Sequence, residues 1–283
     1  MAWGKKAGVD DLLQKLTNPK TAKSLYVMST RSISDSDFFK SLGVDGATAI
    51  AELLKTNQSL TTVSLSRNQI GDEGVEKLAM GLSENAQSGV KELNVTEVGI
   101  SGTGLDHLAM LVEKESCSLS TIQLSFNALE SATSTFFDAL AKNKSVTKLQ
   151  LKECKLNDQH VAALSAALKQ NTALIEIDLS DNELTQSSCA SLAEGLRENK
   201  TLKILRINNN KSQDEGAVLL ADVLATNNTT LTYLDMGNNT LEMGGNTLGK
   251  EGHEALDKLK EANRGLDVAV DKNAQNEDGS FQQ

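Results

Sequence analysis

The segment of the chain that most resembles an enzyme motif is residues 244–251, GGNTLGKE. It fits the pattern G-x-x-x-x-G-K of a phosphate-binding loop, in which backbone N–H groups and a lysine hold the phosphates of a nucleotide. That pattern needs Ser or Thr after the lysine as a magnesium ligand, but the chain has Glu251 there, whose charge would repel phosphate. A second glycine-rich segment, 99–104, aligns with the ordinary turn 69–74. We therefore predict no nucleotide or other cofactor site.

The histidines and cysteines are scattered along the chain and form no recognisable set. There is no C-x-x-C pair and no ligand spacing for zinc, and no Ser/His/Asp or Cys/His arrangement for nucleophilic catalysis. We expect His107, His160 and His253 on the exposed surface, Cys154 and Cys189 in buried packing, and Cys117 in a loop as the most reactive thiol. The sequence predicts no metal site, no catalytic residues and no enzymatic activity.

Composition and charge limit the classes of partner that the chain is expected to bind. Lys and Arg number 28 against 38 Asp and Glu in 283 residues, a net charge of −10. Phosphate contacts need cations, so nucleic acid and anionic membranes are poor partners. No run approaches the roughly 18 apolar residues of a membrane span, and the N-terminus is too polar for a secretory signal. We expect a reduced cytoplasmic protein, in which the sequons at Asn57, Asn94, Asn143, Asn199, Asn227, Asn228 and Asn238 are polar turns.

One frame, L-x-x-[LIVM]-x-[LM]-x-x-N-x-[LI], returns along most of the chain. Four full copies start at residues 60, 119, 174 and 231, and substituted copies at 90, 146 and 202, so the spacing is 27–30 residues. Alternating apolar residues predict a short strand, after which the period changes to that of a helix, as at Val75, Leu78, Ala79 and Leu82. The asparagine side chain can donate to and accept from backbone groups where the chain leaves the strand. Thr30, Val98 and Cys154 replace it in single units.

The ends of the repeat are irregular, as terminal units are in repeat proteins. We predict an N-terminal cap helix in residues 1–20, a repeat domain of about eight units in 21–270, and a flexible tail in 271–283. The domain carries insertions near residues 34–46 and 242–250, and ends in a cap strand at Leu266, Val268 and Val270.

This pattern resembles the ribonuclease-inhibitor-like class of leucine-rich-repeat proteins. The resemblance implies an α/β solenoid, a curved horseshoe with parallel strands on the concave face and helices on the convex face. The class includes inhibitors, GTPase activators and actin regulators, so the fold does not decide the function. Residues 30–32 with 49–57 resemble part of the tropomodulin repeat domain. The repeat length is similar to that of Ran GTPase-activating proteins, but their acidic C-terminal tract is missing.

The face of the strands away from the core, here called the strand face, is where a repeat protein of this kind usually binds. Acidic residues outnumber basic ones on it, which favours a protein partner with a basic patch. The candidate partner-binding residues are Tyr26, Arg67, Glu92, Phe126, Lys148, Lys152, Asp178, Asp181, Arg206, Tyr233 and Asp235. Hot spots favour Tyr and Arg, so Tyr26, Arg206 and Tyr233 are the first choices.

The function predicted from the sequence is a non-enzymatic protein-interaction scaffold, a monomer or part of a larger complex. A cytoskeletal or ciliary setting is an expectation by analogy. The alternatives are a GTPase activator, an actin-filament regulator and, for the strand face, a solvated polar surface without a partner.

Overall fold

The computed structural model describes residues 23–27, 42–237 and 248–270. The chain divides into two compact units between Val146 and Thr147, and each unit is described by itself. The predicted cap helix, Thr30, most of both insertions and the tail lie outside the described residues, and so do residues 244–247 of the glycine-rich segment.

Unit 1 alternates strands and helices along the chain. Its elements are β1 (Ser24–Tyr26), α1 (Gly43–Leu54), β2 (Thr62–Ser64), α2 (Gly71–Glu84), β3 (Glu92–Asn94), α3 (Gly102–Val112), β4 (Thr121–Gln123) and α4 (Thr135–Lys142). The strands are parallel and pair in chain order, so Leu25, Val63, Leu93 and Ile122 stand side by side.

Unit 2 repeats the same alternation. Its elements are β5 (Lys148–Gln150), α5 (Asp158–Leu168), β6 (Glu176–Asp178), α6 (Gln186–Glu198), β7 (Ile204–Arg206), α7 (Gln213–Thr226), β8 (Tyr233–Asp235), α8 (Lys250–Ala262) and β9 (Asp267–Ala269). Pairing is again parallel and in chain order, from β5 to β9.

The core of each unit lies between its strands and its helices. In a typical strand the middle residue is buried and its two neighbours are half-exposed, as the period of two requires. The predicted helix positions, such as Leu78 and Leu192, are buried. One predicted position is wrong: Thr133 is exposed, because α4 begins two residues after it, at Thr135. The predicted fold class, an α/β solenoid of leucine-rich repeats, is confirmed in its strand and helix pattern.

The asparagine column joins neighbouring repeats through its side-chain amides. Asn182 donates from Nδ2 to the carbonyls of Leu151, in the preceding repeat, at 2.8 Å and of Leu179 at 2.9 Å. Its Oδ1 accepts from the backbone N–H of Cys154 at 2.9 Å and of Leu156 at 3.0 Å. The predicted role of this residue is therefore confirmed. Asn68, Asn127 and Asn210 make the corresponding bonds in their repeats.

A second column of asparagines follows the helices, and from the sequence these residues are predicted only as polar turns. Asn199 donates to the carbonyls of Leu168 at 2.8 Å and Asn171 at 3.1 Å, and accepts from the N–H groups of Thr201 and Leu202. Helix ends leave carbonyls without intrahelical partners, and this amide satisfies those of the neighbouring repeat. Asn85, Asn143 and Asn228 do the same. Asn57, Asn143, Asn199 and Asn228 are buried, which agrees with their interpretation as turn residues rather than glycan acceptors.

Aspartates in the first turn of a helix cap the helix of the next repeat. Asp158 accepts from the N–H and hydroxyl groups of both Thr185 and Ser188, at the start of α6. Asp72 binds Ser101 and Gly104 in the same way, and Asp214 binds Gly249. Negative charge is favoured at helix N-termini. Partial burial alone would raise the pKa of Asp158, but the hydrogen bonds from Ser188 and Thr185 outweigh burial and hold that pKa below its usual value.

The hydroxyl of Ser165 gives a prediction about packing. Ser165 Oγ is buried in α5 and has no hydrogen-bond partner among the described residues. The same helix position is alanine elsewhere: Ala51, Ala79, Ala109, Ala193 and Ala221. A buried unpaired hydroxyl costs about 1 kcal/mol or more, so Ser165→Ala should raise the free energy of unfolding by about that amount in urea denaturation. Ser188→Ala, which removes a bonded hydroxyl, should lower it. A loss of stability in Ser165→Ala would contradict the assignment.

The cap at Asp158 gives a prediction about pH. A carboxyl whose pKa is lowered by folding contributes stability above its unfolded pKa and loses it as pH falls through the folded pKa. Asp158→Asn should therefore lower the free energy of unfolding by about 1 kcal/mol at pH 7. The difference from the unmutated chain should close below pH 3.8, the ordinary value for this group. Urea denaturation at pH 7 and pH 3 measures both, and a gap of equal size at the two pH values would exclude an ionic cap.

Candidate protein-binding site

The strand face of unit 2 carries most of the charged candidate residues in a fixed register. Asp178, Arg206 and Asp235 are direct neighbours on β6, β7 and β8. Two residues earlier on the same strands stand Glu176, Ile204 and Tyr233. The three-residue strands place these side chains, because the residue between the two rows is buried.

Arg206 is the centre of this surface. Its Nη1 donates to Glu176 Oε1 at 2.6 Å, and its Cζ lies 5.3 Å from the centroid of the Tyr233 ring. The guanidinium therefore spans from β6 to β8 and makes an ion pair on one side and a cation–π contact on the other. Burial and the nearby carboxylate of Asp235 raise the pKa of Tyr233.

Glu176 is shared by two cations. Lys148 Nζ lies 3.1 Å from the same Oε1 that Arg206 contacts. Burial would raise the pKa of Glu176, but the hydrogen bonds from Arg206 and Lys148 outweigh it and lower the pKa below its usual value. Two positive groups on one carboxylate leave this cluster with a net charge of +1 at neutral pH.

A separate ion pair lies at the other end of the strands. Lys152 Nζ lies 2.9 Å from Asp181 Oδ2, and Asn209 Nδ2 donates to Asp181 Oδ1 at 3.0 Å. The hydrogen bond to Asp181 raises the pKa of Lys152. Half-exposed pairs of this kind contribute little to stability, but they fix where the charges of the surface lie.

The candidate residues of unit 1 are further apart. Tyr26 on β1 is 65% exposed and Phe126 after β4 is 43% exposed. They are separated by three strand steps, about 14 Å at the usual strand spacing. Arg67 pairs with Glu97 at 3.0 Å and Glu92 accepts from Gln123 at 2.6 Å. The structure thus brings Lys148, Glu176, Arg206 and Tyr233 together in unit 2, and does not bring the two exposed aromatic residues of unit 1 together.

The residues just after the strands, at the edge of the strand face, are here called its rim. Their backbone is strained, which the sequence did not reveal. Within the described residues, the residue before each column asparagine, or its replacement, has positive φ, and none of the six is glycine: Arg67, Glu97, Phe126, Glu153, Asp181 and Asn209. The bond from Arg67 N–H to the Thr96 carbonyl at 2.9 Å, and that from Asp181 to Asn208, hold this conformation. Asp181 and Asn209 are residue types that favour it, but Arg67, Glu97, Phe126 and Glu153 are not, so residue identity gave no usable signal.

One prediction about a single titratable group is wrong. His160 is buried rather than exposed: its Nδ1 accepts from the backbone N–H of Asn157 at 3.0 Å and closes a capping box at the start of α5. Cys117 lies in a loop as predicted and is buried there. Cys154 and Cys189 are buried as predicted, and burial raises the pKa of the Cys189 thiol to about 12.

The glycine-rich segment 99–104 has a structural role. Gly102 lies so close to the backbone of Ser131 and Ala132 that a Cβ would clash, so the segment 99–104 is a turn of the repeat.

Within the described residues, no three His, Cys, Asp or Glu side chains lie close enough to hold a metal ion. No helix in those ranges is long and apolar enough to cross a membrane.

Comparison with known proteins agrees with the repeat. A family model described as "Leucine Rich repeat" matches residues 56–79, 198–221 and 227–242. The chain contains leucine-rich repeats. A search of curated proteins finds no match to this leucine-rich-repeat chain.

Two solved structures are similar to part of the chain. Leiomodin-1 Actin-Binding Site 2 has 19% identity and a TM-score of 0.43, over 57% of this chain and 88% of that one. The tropomodulin C-terminal domain of Caenorhabditis elegans has 13% identity and a TM-score of 0.43, over 56% and 93%. Similarity at this level carries no argument about function.

The rim conformation at Phe126 gives a prediction. A β-branched residue is strongly disfavoured at φ near 62°, whereas Asn tolerates it. Phe126→Val should therefore unfold about 1–2 kcal/mol more easily than Phe126→Asn in urea denaturation. The same pair of substitutions at Thr121, in the extended strand β4, should rank in the opposite order. The same ranking at both positions would contradict the left-handed assignment.

Proposed function

We propose that the chain is a protein-binding module and that the strand face of unit 2 holds its main contact site. The observation that carries this proposal is Arg206, fixed between Glu176 and the ring of Tyr233. Leucine-rich repeats typically serve protein–protein interaction.

The energetics of binding support this choice of site. Hot spots are enriched in Tyr and Arg and lie among groups that need no reordering on binding. Arg206 keeps 31% of its side chain exposed although its position is fixed. An arginine held in advance loses little conformational entropy when a partner arrives, so its remaining N–H donors can contribute to affinity.

The charged residues on the strand face of unit 2 indicate the charge expected of the partner. Besides Glu176, the strand face of unit 2 carries Asp178, Asp181, Asp235 and the exposed Glu153, against Lys148, Lys152 and Arg206. A partner with a basic patch would complement this excess of acidic groups and associate faster for it.

More specific functions than protein binding stay predictions. GTPase activation and actin-filament regulation, the two alternatives from the sequence, have no support from the geometry of the site. The expected cytoplasmic location, with a cytoskeletal or ciliary setting, is likewise a proposal.

The binding site gives a prediction with a matched control. Arg206→Glu should weaken binding of the principal protein partner by at least about 30-fold, as expected at a hot spot, because it places a carboxylate against Glu176. Arg197→Glu changes an arginine of the same unit that pairs with Glu194 on α6, and should leave binding unchanged. Affinity purification with mass spectrometry from native cells would compare both. The same partners at the same yield with both variants would contradict the site.

A further inference from the structure

Three neighbouring strands of unit 2 present alternating charges at one level. Asp178, Arg206 and Asp235 are register partners on β6, β7 and β8, and all three are half-buried. Adjacent strands lie about 4.8 Å apart. The two carboxylates therefore flank the arginine on strands about 10 Å apart.

The middle of this row remains positive despite its ion pair. Glu176 neutralises only one of the two cations that contact it, Lys148 and Arg206. A guanidinium has five N–H donors, and the contact to Glu176 is made through Nη1. The row therefore reads negative, positive, negative.

The flanking acids are also held in place. Asp178 Oδ1 accepts from the Ser180 N–H at 3.0 Å and from its hydroxyl at 2.6 Å. Asp235 Oδ1 accepts from the N–H of Gly237 at 3.1 Å. Because all three charged groups have fixed positions before binding, the row favours partners whose own charges match its spacing.

The spacing of the row selects one kind of secondary structure in the partner. Side chains at positions i, i+3 and i+7 of an α-helix share a face and rise by about 4.5 and 10.5 Å. Same-face residues of a strand are about 6.8 and 13.6 Å apart, which fits the row less well. A partner helix with only basic residues at these three positions would place a cation against Arg206, so the middle position is expected to be acidic.

We infer that the partner contacts unit 2 with an α-helix that carries Lys or Arg at i and i+7 and Asp or Glu at i+3. This inference rests on the proposed function and specifies the partner's contact segment. The two cations pair with Asp178 and Asp235, and the acid between them pairs with Arg206.

Two synthetic helical peptides of equal composition test the order of charges. One carries Lys-x-x-Glu-x-x-x-Lys and the other Glu-x-x-Lys-x-x-x-Lys in the same alanine and glutamine host. In fluorescence anisotropy with the full chain at low salt, the first should bind about tenfold more tightly, and salt should reduce this difference.

A charge-swapped chain is the second arm of the test. The triple variant Asp178→Lys, Arg206→Glu, Asp235→Lys should prefer a peptide with Glu-x-x-Lys-x-x-x-Glu. If that variant does not fold, Asp178→Asn with Asp235→Asn should abolish the preference for the first peptide. Asp222→Asn with Glu194→Gln, two exposed acids on the helices, should leave it intact.

Two outcomes would overturn the inference: equal binding of the two peptides, or no binding of either at about 1 mM peptide. If Arg206→Glu still loses the cellular partner in either case, the proposed binding site stands and only the helix is wrong. If the cellular partner is also unaffected, both proposals fail.

Discussion

The side-chain amide of the column asparagine is the interaction on which the rest of the structure depends. Each strand is only three residues long, so its backbone pairing alone is short. The chain then turns abruptly into the core, where backbone groups have no water to bond to. An amide offers donors and an acceptor together. In Asn182 these groups join the backbone of one repeat to that of the repeat before it.

The geometry of the strand face follows from this arrangement. The residue before the asparagine has positive φ and its N–H bonds to the next repeat, and the same holds for Glu97 and Glu153, where Val98 and Cys154 replace the asparagine. The register of neighbouring strands is thereby fixed, and a side chain on one strand meets defined partners on the next. Arg206 can span from Glu176 to Tyr233 only because three strands stand in register.

Much of this fold follows from the sequence, because apolar periodicity and the asparagine column are local signals. The strand frame, the buried helix positions such as Leu78 and Leu192, and the bonding role of Asn182 are all predicted from the residues. The strand face is predicted for the same reason, since a period of two decides which residues point away from the core.

Interactions between repeats are what the sequence did not show. Arg206 and Tyr233 are each predicted as single hot spots, but their contact with each other depends on the register of β7 and β8. Asp158 and Ser188 are 30 residues apart in the chain. The apolar periodicity of one repeat does not specify these contacts, because they depend on which residues of neighbouring repeats stand side by side.

Hydrogen exchange in an Asn182→Ala variant tests the role of the amide most directly. The N–H groups of Cys154 and Leu156 donate to Asn182 Oδ1, so they should lose protection. The free energy of unfolding should fall by about 3 kcal/mol, because several buried backbone groups lose their partner. In the control Asn227→Ala, an exposed asparagine after α7, both quantities should stay within about 0.5 kcal/mol of the unmutated chain. Protection and stability equal to those of the control would show that the amide does not hold the repeats together.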